Sequence, residues 1–219
     1  GDFVNLDTAK KAVKGVDYVL HQGAIPSVPR SIDDPVLTNN ANILGTLNML
    51  IAAREEGVER FVYAASSSAY GDQDVLPLKE DMAPRPMSPY ALQKHIGELY
   101  CTLFSKLYNL ETVALRYFNV YGPGAPTEGA YAMMMAIFLM QRKNGQALTI
   151  VPDGHQSRAF THVRDIVKAN ILAMESAKVG HGEVINIAGK KKFSVLEIAE
   201  MIGGPKVFIE PRIEPRNSL

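Results

Sequence analysis

Tyr90 and Lys94 stand four residues apart in Ser88-Pro89-Tyr90-Ala91-Leu92-Gln93-Lys94. On a helix that spacing places both side chains on one face, one turn from each other. Ser88 suits an N-cap, Pro89 suits the first helical position and an amphipathic run follows to about Tyr108, so a helix is expected with Tyr90 in its first turn. A phenol titrates near pH ~10 in water, too high for a base at neutral pH. An ammonium one turn away favours the phenolate, as does the positive end of the helix dipole, and Tyr90 would then be a tuned acid/base. Taken alone, such a pair is more simply an ordinary surface pair. Ser66, Ser67 and Ser68 change the balance: residues 60–65 form a short apolar run that reads as a buried strand, and the serines fall at its carboxyl end, where open α/β sheets place ligands.

These residues carry a resemblance to a known family. A serine at a strand end with Tyr-x-x-x-Lys on the following helix resembles the extended short-chain dehydrogenase/reductase superfamily. The wording from Tyr63 to Gly71, from Ser88 to Lys94, and of Arg116-Tyr117-Phe118-Asn119-Val120-Tyr121-Gly122-Pro123 is similar to its NAD-dependent nucleotide-sugar 4-epimerases. The resemblance spans essentially the whole chain. It implies an α/β fold, a Rossmann-like doubly wound parallel sheet lacking its first βαβ unit, with a smaller α+β substrate domain. Residues 1–122 with about 160–190 would form the NAD-binding part, and about 123–159 with 191–219 the nucleotide-sugar part. The resemblance also implies NAD as cofactor, a UDP-sugar as substrate and a homodimer built from helices at about 37–56 and 90–108.

Composition limits the alternatives. With 219 residues, 47% of them hydrophobic, the chain can bury a sizeable core. Lys and Arg total 23 against 23 Asp and Glu, and no basic stripe interleaves with aromatics, so no nucleic-acid partner is expected. Cys101, the one cysteine, sits among apolar residues and reads as a buried thiol in a reducing compartment. Neither a membrane-spanning run nor a signal peptide is evident, so the chain reads as cytoplasmic.

The elements around the chemistry follow in order. Dinucleotide-binding folds open with a strand, a Gly-rich turn and a helix that holds the pyrophosphate, and none precedes Gly1-Asp2-Phe3. The chain therefore reads as truncated, with a gap expected in its sheet; the resemblance places Asp2 and Phe3 at the cofactor's adenine. Residues 16–20 read as a strand. His21 is expected to be a packed histidine, and the resemblance lays the backbone of Gln22, Gly23 and Ala24 along the cofactor, an approach that small side chains permit. Leu44, Leu47, Leu50 and Ile51 mark a helix over 37–56, and Asn42 matches the family asparagine near the nicotinamide.

A polar loop over 71–89 and a strand over 112–115 are expected next. The resemblance assigns Tyr117 and Phe118 to the nicotinamide pocket and Asn119 to substrate phosphate. A helix over 130–141 carries Met133, Met134, Met135 and Met140, read as core. Residues 148–151 and 184–187 read as strands, and Ser194 caps a helix over 195–202. Arg158 matches the family arginine on the nucleotide diphosphate, a task for which a guanidinium's fork of donors is suited. Near the end, Arg212 matches a second phosphate ligand, Glu214 the acid that meets the ribose, and Ser218 a late pocket position.

The reaction implied is epimerisation of a secondary alcohol. One acid/base and an oxidising nicotinamide suffice for it. Tyr90 would take the proton of the sugar 4-hydroxyl, Lys94 would support the phenolate and hold the nicotinamide ribose, and Ser66 with a neighbour would bind the oxygen. Related dehydratases carry Thr-Asp-Glu where this chain has Ser66-Ser67-Ser68, and related decarboxylases carry Glu at the third position. Hydroxyls without carboxylates favour 4-epimerisation. A small Ser218 leans toward UDP-N-acetylglucosamine and UDP-N-acetylgalactosamine over UDP-glucose. The rival readings are another nucleotide-sugar-modifying relative, whether UDP-glucose 4-epimerase, dehydratase or decarboxylase, and a non-catalytic nucleotide-sugar-binding relative.

Overall fold

The computed structural model describes residues 1–127 and 133–210 and, for the backbone alone, Asn217–Ser218. Helix α1 (Leu6–Val13) leads to strand β1 (Tyr18–His21), and two short helices, α2 (Val28–Asp33) and α3 (Pro35–Asn39), continue through a π-type turn at Asn40–Leu44 into α4 (Gly45–Glu55). Strand β2 (Arg60–Ser66) ends in a 3-10 turn at Ser67–Tyr70; helix α5 (Pro89–Tyr108) and strand β3 (Glu111–Tyr117) follow a long loop. Next come β4 (Val120–Tyr121), α6 (Met134–Lys143), β5 (Leu148–Ile150), β6 (Ser157–Ala159) and β7 (Thr161–His162). Helix α7 (Val163–Glu175), β8 (His181–Ile187), β9 (Lys192–Ser194), α8 (Val195–Ile202), β10 (Lys206–Phe208) and β11 (Asn217–Ser218) complete the order.

The main sheet is parallel, in the order β1-β2-β3-β8. Its centre is covered on both sides, and the period of two along each strand sorts the cover. Phe61, Tyr63, Ala65 and Ala114 share a core with α1, α4 and α5 through Ala9, Leu50, Cys101 and Phe104, whereas Val62, Val113 and Leu115 pack with Ala173 of α7. The gap expected in the sheet is not found. The four strands are contiguous, with β1 at one edge, because in doubly wound order the first unit stands beyond this strand and not between its neighbours. A second core joins α6, β5 and α8 through Phe138, Leu148, Ile150, Val195, Ile198 and Ala199.

Local chemistry explains the ends of the key elements. The Ser88 hydroxyl accepts from the Ala91 N–H at 3.1 Å, Pro89 opens α5, and Asn109 in the left-handed region (φ 56°) closes it. Ser194 and Glu197 form a reciprocal capping box on α8. Helix α5 approaches the sheet closely at Gly97, where a Cβ would run into the Tyr63 phenol. The loop after β2 is less polar in its packing than its residues suggest: Leu78 is buried, and with Leu76 and Met82 it covers Tyr70 and Phe118. Glu80 accepts from the Asn186 N–H at 2.8 Å and ties the loop to β8.

Two expectations about the second half need amendment. Helix α6 begins at Met134; residues 128–132 lie outside the described residues. Met134 and Met135 pack on the second core as expected, but Met133 is exposed. Among the described residues no helix is long and apolar enough to cross a membrane, and no cluster of His, Cys, Asp or Glu could hold a metal ion.

Candidate active site

The carboxyl end of β2 and the first turn of α5 meet, and they bring the serines and Tyr90 together. Ser66 ends the strand; its hydroxyl accepts the Ser68 backbone N–H at 3.2 Å and lies 2.8 Å from the Ser68 hydroxyl. The Tyr90 side chain faces Ser66. Ser67, partly buried, opens the 3-10 turn beside them. The backbone N–H of Tyr90, an orphan donor at the helix start, is taken by the Ser31 hydroxyl of α2 at 3.0 Å. Lys94, one turn on, is 3% exposed and lies with Nζ 4.5 Å from the centre of the Tyr63 ring.

The electrostatics depart from the expectation for Tyr90. Burial raises its pKa, and the nearby Ser66 hydroxyl pulls the other way without reversing the shift. The sequence argument looked for a lowered phenol through Lys94. That ammonium sits over the Tyr63 ring, and burial takes its own pKa down to about 8, with Cys101 and Glu98 opposing. Desolvation therefore outweighs the helix neighbours for both groups. Cys101 is buried, as expected, with its thiol pushed up by burial first and Glu98 second.

Around this centre, polar side chains hold the loops at the strand ends. Asn42 is buried, not solvated: Oδ1 accepts from Ile25 N–H at 2.7 Å, while Nδ2 donates to Ile25 C=O at 3.2 Å and to Gln93 Oε1 at 2.9 Å. Gln93 in turn donates to Thr38 at 3.0 Å. The carboxamide of Asn42 is thus committed to holding the loop after β1 against α5. Gln22 is exposed at the end of β1, and its amide, Tyr117 and Asn170 of α7 form a closed triangle, with Gln22 donating to Asn170 at 3.0 Å and Tyr117 donating to Gln22 at 3.0 Å. Gly23 and Ala24 follow, half-buried; at Gly23 a Cβ would come within 2.8 Å of the Phe3 ring. Phe3 therefore supplies one reason for a glycine there. Asp2 is exposed and accepts from the Val4 N–H at 3.0 Å.

Phe118 departs from its expected place. Its side chain is fully buried against Tyr70, with ring centres 6.3 Å apart, and belongs to the cluster with Leu78 and Ala159. A ring enclosed in this way is core and cannot also wall an open pocket. Asn119 follows with φ 28°, a strained value for a non-glycine residue, and donates to the Ala159 C=O at 2.9 Å. It borders a cavity of about 300 Å³ lined also by Tyr121, Met133, Phe138, Arg158 and Phe160. Asn119 and Arg158 thus face one space, and Met133 lines it. Arg212 and Glu214 lie outside the described residues; the backbone of Ser218 pairs with Arg158 through β11 and β6. A larger hollow of about 600 Å³ lies at the amino ends of β1, β2 and β3, lined by Tyr18, Arg60 and Glu111, away from the serines and Tyr90.

Sequence reasoning passed over Gln93, Asn170, Glu98 and Tyr70. Each is a polar or aromatic side chain whose partner is far along the chain, and local patterns hold no record of such pairs. Glu98, four residues past Lys94 and so on the same helix face, was the one visible signal.

Known proteins share this arrangement of elements. A family profile described as NAD dependent epimerase/dehydratase family matches residues 1–188. A Methanocaldococcus jannaschii protein provisionally named UDP-glucose 4-epimerase is 35% identical over 96% of this chain and 72% of its own length. The structure is similar to that of the UDP-N-acetylglucosamine 4-epimerase of Methanobrevibacter ruminantium in complex with UDP-N-acetylmuramic acid, with TM-score 0.93, 36% identity and coverage of 100% of this chain and 72% of that one. It is also similar to the UDP-glucose 4-epimerase of Thermotoga maritima with UDP-glucose, with TM-score 0.95, 31% identity and coverage of 100% and 73%.

His21 is the packed histidine that its position suggested. It is buried beside Phe3, Phe61 and Tyr63, and its Nε2 lies 3.1 Å from the Thr46 hydroxyl, which donates to Asn42 C=O. Burial, helped by Lys94, lowers its pKa from 6.5 to about 3. The unfolded chain therefore binds this proton first, so the stability held above pH 6.5 is lost as pH falls toward 3. Denaturant unfolding between about pH 7 and 5.5 should show the loss, and His21→Gln should flatten it. An equal slope in the variant would remove His21 as its cause.

Proposed function

The chain belongs to the NAD dependent epimerase/dehydratase family, and on that premise we propose that the protein is a UDP-hexose 4-epimerase acting through a 4-keto sugar. The observation that carries the reading is the meeting of Tyr90 with Ser66 at the carboxyl end of β2, with Lys94 one turn away and only hydroxyls at Ser66, Ser67 and Ser68. An eliminating or decarboxylating relative would need carboxylates where these serines stand.

The residues fit the cofactor. Glu98, the carboxylate one turn past Lys94, is engaged by Arg116 and His95, so the Lys94 donors are available to the hydroxyls of a ribose. Gln22, Gly23 and Ala24 offer backbone at the carboxyl end of β1, and Tyr117, held by Gln22 and Asn170, stands at the carboxyl end of β3. When bound, NAD+ supplies a reversible hydride acceptor for the sugar C4. Tyr90 takes the proton of the 4-hydroxyl and returns it. Ser66 donates to the reacting oxygen, and Lys94 supplies the positive charge that offsets the burial of the phenolate. Asn119 and Arg158 hold the nucleotide diphosphate in the cavity they share, the guanidinium by its planar fork. The parts that bind NAD and nucleotide sugar divide at about residue 122, with 160–190 returning to the first part.

The acetylated pair, UDP-N-acetylglucosamine and UDP-N-acetylgalactosamine, is the favoured substrate. Ser218, small and paired by its backbone to Arg158, supports it; the UDP-glucose-bound neighbour supports UDP-glucose as the second reading. A homodimer fits the outer face of α5, where Leu92, Leu99, Leu103 and Leu107 are all about half-exposed or more, next to Leu37 and Leu44. A buried free thiol and a nucleotide-sugar substrate fit the cytoplasm.

Tyr90→Phe should cut epimerisation by about 100- to 10,000-fold while NAD remains bound, and a variant near wild-type rate would remove Tyr90 as the acid/base. Ser218→Tyr should depress turnover of UDP-N-acetylgalactosamine more than of UDP-glucose; equal losses would count against the acetylated assignment. Light scattering after size exclusion should give a dimer for the wild type and a monomer for Leu103→Arg, whereas a monomeric wild type would refute the interface.

A further inference from the structure

One turn past Lys94 on α5 lies a buried pair of charges to which the epimerase reading gives no role beyond leaving Lys94 free. Glu98 is 1% exposed and Arg116, on β3, is 3% exposed. Arg116 Nε and Nη2 donate to the two Glu98 oxygens at 2.9 and 2.8 Å, and His95 Nδ1 lies 3.0 Å from Oε2. The guanidinium carbon is 4.4 Å from the centre of the Tyr70 ring, and Tyr70 donates to Asn186 Oδ1 at 2.8 Å. Arg116 stands opposite Ala65 in the sheet, one residue before Ser66, and Tyr70 ends the turn that holds Ser67 and Ser68. The pair therefore joins the helix bearing Tyr90 and Lys94 to the strand and turn bearing the serines.

Stability alone is a weak reason for such a pair. Two apolar side chains of similar volume often hold a helix to a sheet as well or better, because burying two charges costs solvation. Arg116 Nη1 adds to that cost, being buried with no hydrogen-bond partner among the described residues. A function that apolar residues could not replace is control of the charge beside Lys94. The titratable groups facing Lys94 are Glu98 and Cys101 on its own helix, Tyr63 on β2 and His21 on β1; Tyr90 faces Tyr63, His95 and Arg116 contact Glu98, and Glu80 of the loop faces Tyr70. Glu98 is the one carboxylate in the set around Lys94, and Arg116 balances it.

We propose that Glu98 and Arg116 are positioning residues, which as a neutral pair hold α5 against the serine turn and set the net charge beneath Tyr90 and Lys94. The proposal rests on the reading of Tyr90 and Lys94 as the acid/base pair. Burial holds Lys94 down near 8, with Glu98 among the groups that oppose the fall. Removing the Glu98 charge leaves Arg116 unbalanced, which disfavours the ammonium and favours the phenolate. Removing Arg116 leaves Glu98 unbalanced, with both effects reversed.

The test uses the full-length protein with two readouts: the alkaline limb of kcat/KM, and the substrate-free appearance of the Tyr90 phenolate by ultraviolet difference against Tyr90→Phe. Glu98→Gln should move both to lower pH by about one pH unit, and Arg116→Met should move both to higher pH by a similar amount. The double variant Glu98→Gln/Arg116→Met, which leaves no unpaired buried charge, should return both close to wild type while kcat stays low. Shifts in the same direction in the two single variants, or none, would overturn the proposal. If the single variants do not fold, the double variant decides: wild-type kcat in it would mean that the pair only stabilises. A wild type inactive on every UDP-hexose would sink the functional reading instead, and the phenolate titration would still judge the charge pair.

Discussion

The close approach of α5 to the centre of the sheet is the constraint on which the candidate site depends. Tyr63 lies under the helix with no exposed surface, and it fits because residue 97 is glycine. That contact brings the first turn of α5 down to the carboxyl end of β2, so the Tyr90 hydroxyl meets Ser66. It also puts the Tyr63 ring under the Lys94 ammonium, a face that attracts a cation without neutralising it. A helix standing farther off would leave Tyr90 in solvent and Lys94 free to extend into water.

The same approach sets the electrostatics, and it does so against the direction that local spacing suggests. A lysine one turn from a tyrosine favours the phenolate when both are in water or at its edge. Here Lys94 is buried and Tyr90 partly so, and loss of solvent becomes the largest influence on each: the phenol rises and the ammonium falls. Each charged form is therefore costly by itself, while the two together are less so.

The elements were more legible than their contacts. Helix α5 was readable to its ends, because Ser88, Pro89 and the apolar period all act within the helix itself. The capping box on α8 was local in the same way, with Ser194 and Glu197 three residues apart. The site's polar support was not legible, since Asn42 is joined to Gln93 and Tyr117 to Asn170 across 51 and 53 residues. A buried asparagine and a solvated one look alike in a sequence. Phe118 shows the converse: its neighbours in the motif are polar or partly exposed, but its ring turns into the cluster with Tyr70 and Leu78, a direction that depends on the loop after β2 packing over it. The π-type turn at Asn40–Leu44 was likewise hidden, because its residues keep ordinary helical periodicity on either side.

The residues proposed for chemistry and those proposed for selectivity stand on different kinds of structure in this chain. Ser66 and Lys94 sit on elements buried against the first core, and their spacing is set by side chains that cannot move without opening it. Asn119 and Arg158 border the cavity from a strained residue after β3 and from the three-residue strand β6, and Ser218 reaches the same neighbourhood through β11, only two residues long. Short strands are held by few hydrogen bonds, so insertions and substitutions there disturb little of the core. A fold organised in this way can keep one proton-transfer geometry while its sugar pocket varies. On the reading proposed above, the acid/base would follow from packing that the whole sheet enforces, and the choice of hexose would depend on a few side chains at its margin.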